Sequence, residues 1–272
     1  MVSSLIFHGN SELLEGPIFD SVNNRLYFVS IFDFLVYSYD TATKELLSIK
    51  LDSPTSCIYL LENNIILVAS KNGFYEIDFK TLTKKFIFQI DIDESVRYND
   101  GIKDPYGRIL IGTMGYPEVV ENKGEVFSYY KGQYKTIIKN TTISNGLAFS
   151  IDQNELYFID TPTKKVAKYR YDKNTGNVNF DSFIIEFKEN GSPDGMCIDN
   201  EGMLWIAEWG GSCVSQWNPN NGLKLQEIKL PCTNVTSCCI DHKGNLYVTT
   251  AKSDDENDFY GGGLYYLELN KN

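Results

Sequence analysis

Six segments of the chain share one pattern, in which a turn precedes a strand-like run of apolar residues. They read NNRLYFVSI, NNIILVAS, YGRILIGTM, QNELYFID, EGMLWIAEW and KGNLYVTTA. When the first apolar residue of each run is taken as a marker, successive markers lie 39 to 48 residues apart. The markers are Leu26, Ile65, Ile109, Leu156, Leu204 and Leu246. A repeat of this length is typical of a β-propeller, in which each repeat forms one four-stranded blade.

Further strand-like stretches accompany each marker strand. A short apolar stretch precedes the marker by 9 to 11 residues, as in NGLAFS and DGMCID, and another follows it, as in KVAKYRY. A fourth stretch follows in the first five repeats, but the sixth repeat reaches Asn272 without one. Residues 3–9 (SSLIFHG) are left over, so we predict that they pair with the strand from Leu264 to Leu269. Such closure removes the exposed edges of an open sheet.

The predicted fold is therefore all-β, a six-bladed β-propeller with four antiparallel strands per blade. Residues 1–272 are expected to form this one domain, because no linker interrupts the repeats. A β-sandwich also has short strands at regular spacing, but it does not give six self-similar units of four strands.

Composition limits the partners and the chemistry. The net charge of −11 argues against nucleic acid, since the chain offers no basic patch for phosphates. No apolar stretch approaches the ~20 residues of a membrane span, and the start lacks the features of a signal peptide, so we expect a cytoplasmic protein that binds no membrane. Six cysteines without a Cys-x-x-Cys pair and only two histidines leave little material for a zinc knuckle or a Ser-His-Asp triad. The sequence indicates no protein partner.

Candidate site residues follow from the repeat. In a propeller the first strand of each blade lines the central channel, and all six first strands begin at the same end, here called the top. Side chains that open these strands should therefore converge there, although they are distant in sequence. They are Glu15, Ser56, Asn99 with Asp100, Asn145, Asp194 and Ser237. In four blades an oxygen-bearing side chain is followed by glycine, which allows a tight turn or a close approach to a ligand.

Two interpretations of these residues remain open at this point. Asp or Asn before glycine is common in turns, although Glu15 is not a turn former. Three carboxylates around one axis would repel each other unless a cation or a raised pKa relieved them. Oxygen donors suit a hard divalent ion such as Ca²⁺, with Mg²⁺ or Mn²⁺ as alternatives. A second set of acids should lie in hairpin turns at the bottom: Asp20, Asp104, Asp152, Asp199 and Asp241.

Four motifs resemble the regucalcin, gluconolactonase and luciferin-regenerating enzyme family. They are RYNDGIKDPYGRILIGTM (97–114), ISNGLAFS (143–150), PDGMCIDNEGMLWIAEWGG (193–211) and LPCTNVTSCC (230–239). They occur in the same order as in the family, and their amino-acid sequences are most similar to the regucalcin motifs. The resemblance implies a six-bladed propeller that hydrolyses aldonolactones, while some relatives act on other esters.

The resemblance also implies a set of site residues. One divalent cation would be held at the channel mouth by Glu15, Asn145 and Asp194, with Ca²⁺ favoured and Zn²⁺, Mn²⁺ or Mg²⁺ as alternatives. Arg97 and Asn99 would bind the substrate. Asp100 stands beside them and could support either role.

This chain departs from the family pattern in two loops. Regucalcin has acids directly after Gly-Thr-Met, whereas this chain has Gly115-Tyr116-Pro117-Glu118. Glu118 is the candidate substrate-binding acid in their place. Ser30 stands where family members often have Asp.

These observations together favour a metal-dependent lactonase whose partner is a small lactone. Asp194 is the candidate general base as well as a metal ligand. Glu118 and Trp209 are expected in the pocket wall. The alternatives are a non-enzymatic Ca²⁺-binding regulatory protein, a hydrolase of another ester, and a protein-interaction propeller.

Overall fold

The computed structural model describes residues 2–62, 64–188, 191–255 and 258–269. It consists of six four-stranded antiparallel sheets, which confirms the six-bladed propeller. The first blade contains β2 (Leu14–Asp20), β3 (Arg25–Ser30), β4 (Leu35–Asp40) and β5 (Leu46–Lys50). The second contains β6 (Thr55–Leu60), β7 (Ile65–Ser70), β8 (Gly73–Asp78) and β9 (Thr83–Phe88). The third contains β10 (Val96–Lys103), β11 (Ile109–Gly115), β12 (Gly124–Tyr130) and β13 (Gln133–Thr141).

The remaining blades follow the same order. The fourth contains β14 (Ser144–Phe149), β15 (Glu155–Asp160), β16 (Lys165–Asp172) and β17 (Asn177–Glu186). The fifth contains β18 (Ser192–Ile198), β19 (Leu204–Trp209), β20 (Cys213–Asn218) and β21 (Leu223–Lys229). The sixth contains β22 (Asn234–Ile240), β23 (Leu246–Ala251), β24 (Gly263–Glu268) and β1 (Val2–His8). The described residues include one helical turn, a 3₁₀ helix over Thr161–Thr163, and no helix among them could cross a membrane.

The sixth blade is closed by both ends of the chain. Strand β1 runs antiparallel to β24, with Ser3 opposite Leu267 and His8 opposite Gly263. This is the predicted pairing of residues 3–9 with the strand from Leu264 to Leu269. The ring is therefore closed by hydrogen bonds between the first and last strands.

The hydrophobic core lies between neighbouring blades. The marker residues Leu26, Leu156, Leu204 and Leu246 are fully buried in the second strand of their blades. Between the first two blades, for example, the buried cluster joins β3 and β4 to β6, β7 and β8. Because each blade buries its apolar faces only against its neighbours, the inner strands are held at fixed positions around the channel.

The acids expected in hairpin turns do lie in the turns between first and second strands. Asp199 Oδ1 accepts hydrogen bonds from the backbone N–H groups of Glu201 and Met203, at 2.9 and 2.8 Å. Asp104, Asp20, Asp152 and Asp241 also accept backbone N–H groups that follow them. These carboxylates therefore serve turn structure, as predicted. The six cysteines are free thiols, and all but Cys197 are buried.

Candidate active site

Every inner strand contains an irregularity in its pairing near its first residues. In β10 the pairing shifts between Tyr98 and Gly101, which leaves Asn99 and Asp100 outside the ladder. The same shift occurs once in each of the other inner strands: between Glu15 and Ile18, Thr55 and Ile58, Ser144 and Leu147, Pro193 and Met196, and Val235 and Ser237. Such bulges re-aim side chains that a regular ladder would hold in alternation. The bulges therefore decide which side chains reach the channel axis.

The bulges also correct the register that the sequence suggested. Asn99, Asn145 and Asp194 occupy the same position, the first residue left out of the ladder. Glu15 does not share it, because Glu15 is paired with Val29 and its structural equivalent in the fourth blade is the paired Ser144. The position of Asn145 is taken in the first blade by Gly16. An oxygen-bearing residue before glycine is thus a shared sequence pattern, but Glu15 does not share the ladder position of Asn145 and Asp194.

The glycines after Asn145 and Asp194 allow neighbouring inner strands to touch. A Cβ atom on Gly146 would lie 2.8 Å from the backbone oxygen of Asp194, and one on Gly195 would lie 2.5 Å from the Cβ of Ser237. Both distances are shorter than real Cβ contacts. Glycine at these positions was expected to allow a tight turn or an approach to a ligand, whereas these two glycines permit the approach of the next blade.

Three carboxylates at the upper part of the channel have raised pKa values. Burial, followed by the charges of Glu15 and Asp100, raises the pKa of Asp194 well above its usual value, and Arg97 opposes the rise. Burial and then the charge of Asp100 raise the pKa of the half-buried Glu15 to about 8. Burial raises the pKa of Asp100 to about 6. At neutral pH the three groups therefore cannot all ionise at their usual pKa values, and a cation would relieve this.

Asp194 makes no side-chain hydrogen bond to the residues that the structure describes. The residue as a whole is 5% exposed, but its carboxylate oxygens are not among the fully buried polar atoms that lack a partner, so they keep some access from the channel. Their lone pairs are therefore available to a cation, water or substrate. This makes Asp194 the strongest candidate among the predicted site residues.

Arg97 supplies the positive charge of the site. It is buried, and burial lowers the pKa of its guanidinium to about 10, against the charges of Glu15, Tyr116 and Asp194, so it stays protonated at neutral pH. Its Nη1 donates to the backbone oxygen of Tyr98 at 2.9 Å and to Asn99 Oδ1 at 2.7 Å. Its Nε and Nη2 donate to none of the described residues. These N–H groups are available to bind a substrate oxygen.

An aromatic pair that was not predicted from the sequence lies beside Arg97. The Phe32 ring lies 5.7 Å from the guanidinium carbon and stacks on Tyr116 at 6.4 Å. Lys71 Nζ lies 6.0 Å from the centre of the Tyr116 ring. All three lie on loops that join second to third strands, which the repeat places at the top. Their loop positions could have been predicted, but their contact with Arg97 depends on three blades and could not.

Asn99 is more constrained than a simple substrate contact. Its Nδ2 donates both to the backbone oxygen of Ser144, at 2.9 Å, and to Asn145 Oδ1, at 2.7 Å. Its Oδ1 accepts from Arg97. Because both amide hydrogens are already donated, Asn99 could contact a substrate only through a remaining lone pair of its oxygen.

The structure does not bring all predicted pocket residues together. Glu118 is exposed in the loop after β11 and has no hydrogen bond or ion pair with the described residues of the site. Trp209 is 39% exposed at the end of β19. Ser30 is buried and donates to Asp33 Oδ2 at 2.5 Å, so a carboxylate is held beside the residue that replaces the family's Asp.

A large cavity lies below these residues rather than at the top. It has a volume of about 630 Å³ and is lined by the lower halves of the inner strands and by the bottom turns, including Asp241 and His242. Asp100 and Ser237 line it, whereas Glu15, Asn145 and Asp194 do not. The cavity therefore reaches the carboxylate cluster from the opposite end, and its position does not by itself locate a substrate site.

The residues fit a cation only as a mixed oxygen set. No group of three or more His, Cys, Asp or Glu residues within the described ranges could hold a metal ion alone. Glu15 and Asp194 therefore need the Asn145 oxygen, and water, to complete a coordination sphere. The repulsion among the carboxylates and the unpartnered Asp194 oxygens are consistent with such a site, and the donors suit a hard ion.

Fold and site together define a closed six-bladed propeller with a carboxylate cluster and one buried arginine around its channel. The family model for the SMP-30/gluconolactonase/LRE-like region matches residues 13–252, and the chain belongs to this family. A putative sugar lactone lactonase, YvrE of Bacillus subtilis, is 34% identical over 94% of this chain and 90% of its own. Regucalcin of Xenopus laevis is 33% identical over 93% and 89%. A regucalcin from Agrobacterium tumefaciens, described as a calcium-binding protein, superposes with a TM-score of 0.92 at 23% identity, covering 98% of this chain and 94% of that one.

Proposed function

We propose that this protein hydrolyses a sugar lactone at the upper end of its channel, with the aid of a divalent cation. The observation that carries the proposal is that Asp194 and Arg97 are buried residues whose charges interact, while the Asp194 carboxylate and the Nε and Nη2 groups of Arg97 bond to none of the described residues. Family membership, and the similarity to a putative sugar lactone lactonase, support this reaction class. Lactone hydrolysis needs a base for water and donors for the ester oxygens, and these two residues offer both.

Each residue has a distinct role in the proposed reaction. Glu15, Asn145 and Asp194 would hold the cation, which supplies Lewis acidity and lowers the pKa of bound water. Arg97 binds oxygens of the lactone through Nε and Nη2, while Nη1 stays bound to Tyr98 and Asn99. Asp194 takes the proton from the attacking water.

Hydrolysis of another ester is the second candidate function. It is favoured by the half-buried Phe32 and Tyr116, which stack beside Arg97. An aromatic wall binds apolar substituents better than sugar hydroxyls. Substrates with an aromatic ring fused to the lactone would separate this candidate from the first.

One experiment tests both candidates. The purified protein is stripped of metal and assayed on a panel of sugar lactones and aryl lactones, with Ca²⁺, Mg²⁺, Mn²⁺ or Zn²⁺ restored singly. We expect hydrolysis of at least one lactone that depends on the ion. Calcium binding measured by calorimetry without any hydrolysis would instead support a non-enzymatic calcium-binding protein.

A further inference from the structure

A continuous chain of hydrogen bonds joins three blades at the site. Arg97 Nη1 donates to Asn99 Oδ1 at 2.7 Å, and Asn99 Nδ2 donates to Asn145 Oδ1 at 2.7 Å. Asn145 Nδ2 then donates to Thr161 Oγ1 at 2.8 Å, and Thr161 Oγ1 donates to the backbone oxygen of Pro193 at 2.8 Å. Pro193 directly precedes Asp194. The series of hydrogen bonds thus runs from the candidate substrate-binding arginine to the residue that precedes the candidate base.

The first and last groups of this series of hydrogen bonds fix the direction of every bond in the series. A guanidinium can only donate, so Asn99 must turn its oxygen to Arg97 and its NH₂ group to Asn145. A backbone carbonyl can only accept, so the Thr161 hydroxyl must donate to Pro193 and accept from Asn145. The Asn145 amide is therefore oriented from both sides, with its NH₂ group on Thr161 and its oxygen toward Asn99.

This orientation matters because only one end of the amide can bind a cation. The Asn145 oxygen accepts one hydrogen bond and keeps a second lone pair, whereas a flipped amide would present N–H groups. Asn99 Nδ2 alone favours the oxygen, but without Thr161 the buried NH₂ group of Asn145 would lose its acceptor in the described structure. The Thr161 hydroxyl accepts this NH₂ group, so the orientation that points the Asn145 oxygen toward the site leaves no buried donor without an acceptor.

Local structure holds Thr161 in place for this task. The residue opens the 3₁₀ helix Thr161–Thr163, where the proline that follows suits the first turn. The backbone N–H of Thr161 donates to Ile143 O at 3.2 Å. The carboxylate of Asp160 accepts the N–H groups of Thr142 and Ile143, at about 3 Å. The turn is thereby tied to the loop that leads into β14, the strand of Asn145.

We propose that Thr161 is a positioning residue of the active site, which orients the Asn145 amide and fixes the backbone that carries Asp194. Its hydroxyl does not touch the substrate, and it acts through these two residues. The activity readout of this inference rests on the proposed function, whereas its structural and ion-binding readouts do not. Partners that orient metal ligands typically affect affinity or activity by about 10- to 100-fold.

Three variants test the inference. Thr161→Val keeps the shape and removes the hydroxyl, Thr161→Ser restores the hydroxyl, and Thr163→Val is the matched control in the same turn. The Thr163 hydroxyl is exposed and donates to Asp160 O at 2.7 Å, away from the chain. Ca²⁺ affinity by calorimetry, kcat and KM for a hydrolysed lactone, and thermal midpoint are measured for each.

We expect Thr161→Val to weaken Ca²⁺ binding and to lower kcat, each by roughly tenfold or more, with a smaller change in KM. Thr161→Ser should return both values to within about threefold of the parent, and Thr163→Val should leave both unchanged. A folded Thr161→Val protein with parental Ca²⁺ affinity and kcat would overturn the inference. So would a Thr161→Ser protein that is as impaired as Thr161→Val.

A crystal structure of Thr161→Val separates this inference from the proposed function. We expect a rotated Asn145 amide or a displaced Pro193 carbonyl, whether or not the parent protein hydrolyses lactones. If Asn145 and Asp194 keep their parental positions, Thr161 does not position them. If the parent shows no lactonase activity while the variant displaces these groups, the proposed function fails and the positioning role stands.

Discussion

Replacing Asp194 with asparagine separates the two roles given to this residue. The amide is nearly isosteric and can still offer one oxygen to an ion, but it cannot take a proton. Because Asp194 accepts no hydrogen bond from the described residues, the change breaks no existing bond in the structure. We expect ion binding to weaken by roughly tenfold or more, since one negative ligand is lost.

The expected effect on catalysis is larger. Removal of a general base typically lowers kcat by about 10²-fold or more. A factor of 10² corresponds to about 2.7 kcal/mol in the activation free energy. Arg97 should stay protonated in the variant, because Asp194 is the last of three groups that support its charge, after Glu15 and Tyr116. The loss should therefore fall on kcat rather than on substrate binding.

The assay is steady-state lactone hydrolysis at ion concentrations that saturate each variant, with occupancy checked by calorimetry. Asp152→Asn is the matched control, because Asp152 lies in an exposed bottom turn, and an amide oxygen in the place of Oδ1 still accepts from the Ser150 hydroxyl and the Asn154 N–H. Only the exposed bond from Asn154 Nδ2 to Oδ2 is lost. If ion-loaded Asp194→Asn keeps near-normal kcat, Asp194 is a ligand only. Asp100 would then be the next candidate base, since Glu118 is exposed and outside the cluster.

Three further predictions follow from the same geometry. Arg97→Ala should raise KM and leave Ca²⁺ binding by calorimetry largely intact, because its free N–H groups face the substrate; loss of ion binding would contradict this role. Since burial raises the pKa of Glu15 from 4.5 to about 8, the folded protein holds a proton there that the unfolded chain releases, so metal-free stability should fall as pH rises from about 4.5 to 8. Glu15→Gln should flatten that fall in thermal midpoint, and an unchanged slope would refute the assignment. Gly195→Ala should lower the free energy of unfolding by about 1–3 kcal/mol in denaturant unfolding, because the added Cβ would lie 2.5 Å from the Cβ of Ser237. An unchanged free energy of unfolding would show that the blades can move apart.

The repeat predicted the fold well because its signals are local. Turns followed by apolar runs recur at every blade, and the left-over stretch at residues 3–9 indicated how the ring closes. The position of side chains around the channel was harder to predict. The bulges of the inner strands depend on pairing within each blade and contact with the next, so the sequence placed Glu15 in register with Asn145 although their ladder positions differ.

Two site features could not be predicted for a similar reason. Thr161 contacts Asn145 and Pro193, which are 16 and 32 residues away in the chain. Phe32 and Tyr116 meet beside Arg97 from different blades. For Glu118 a motif position suggested a substrate contact, and this stays a prediction, since the loop leaves the side chain exposed.

Closure of the sixth blade has a consequence for how the protein is made. The strand β1 is synthesised before its partner β24, and the strands of five whole blades lie between them in the sequence. Until then the growing chain has unpaired strand edges, which are prone to join the edges of other chains. The position of Glu15 cannot be fixed earlier either. The backbone oxygen of the neighbouring Leu14 accepts a hydrogen bond from the Thr236 hydroxyl at 2.6 Å, and Thr236 belongs to the sixth blade. The site should therefore assemble only after the sixth blade has been synthesised and closed.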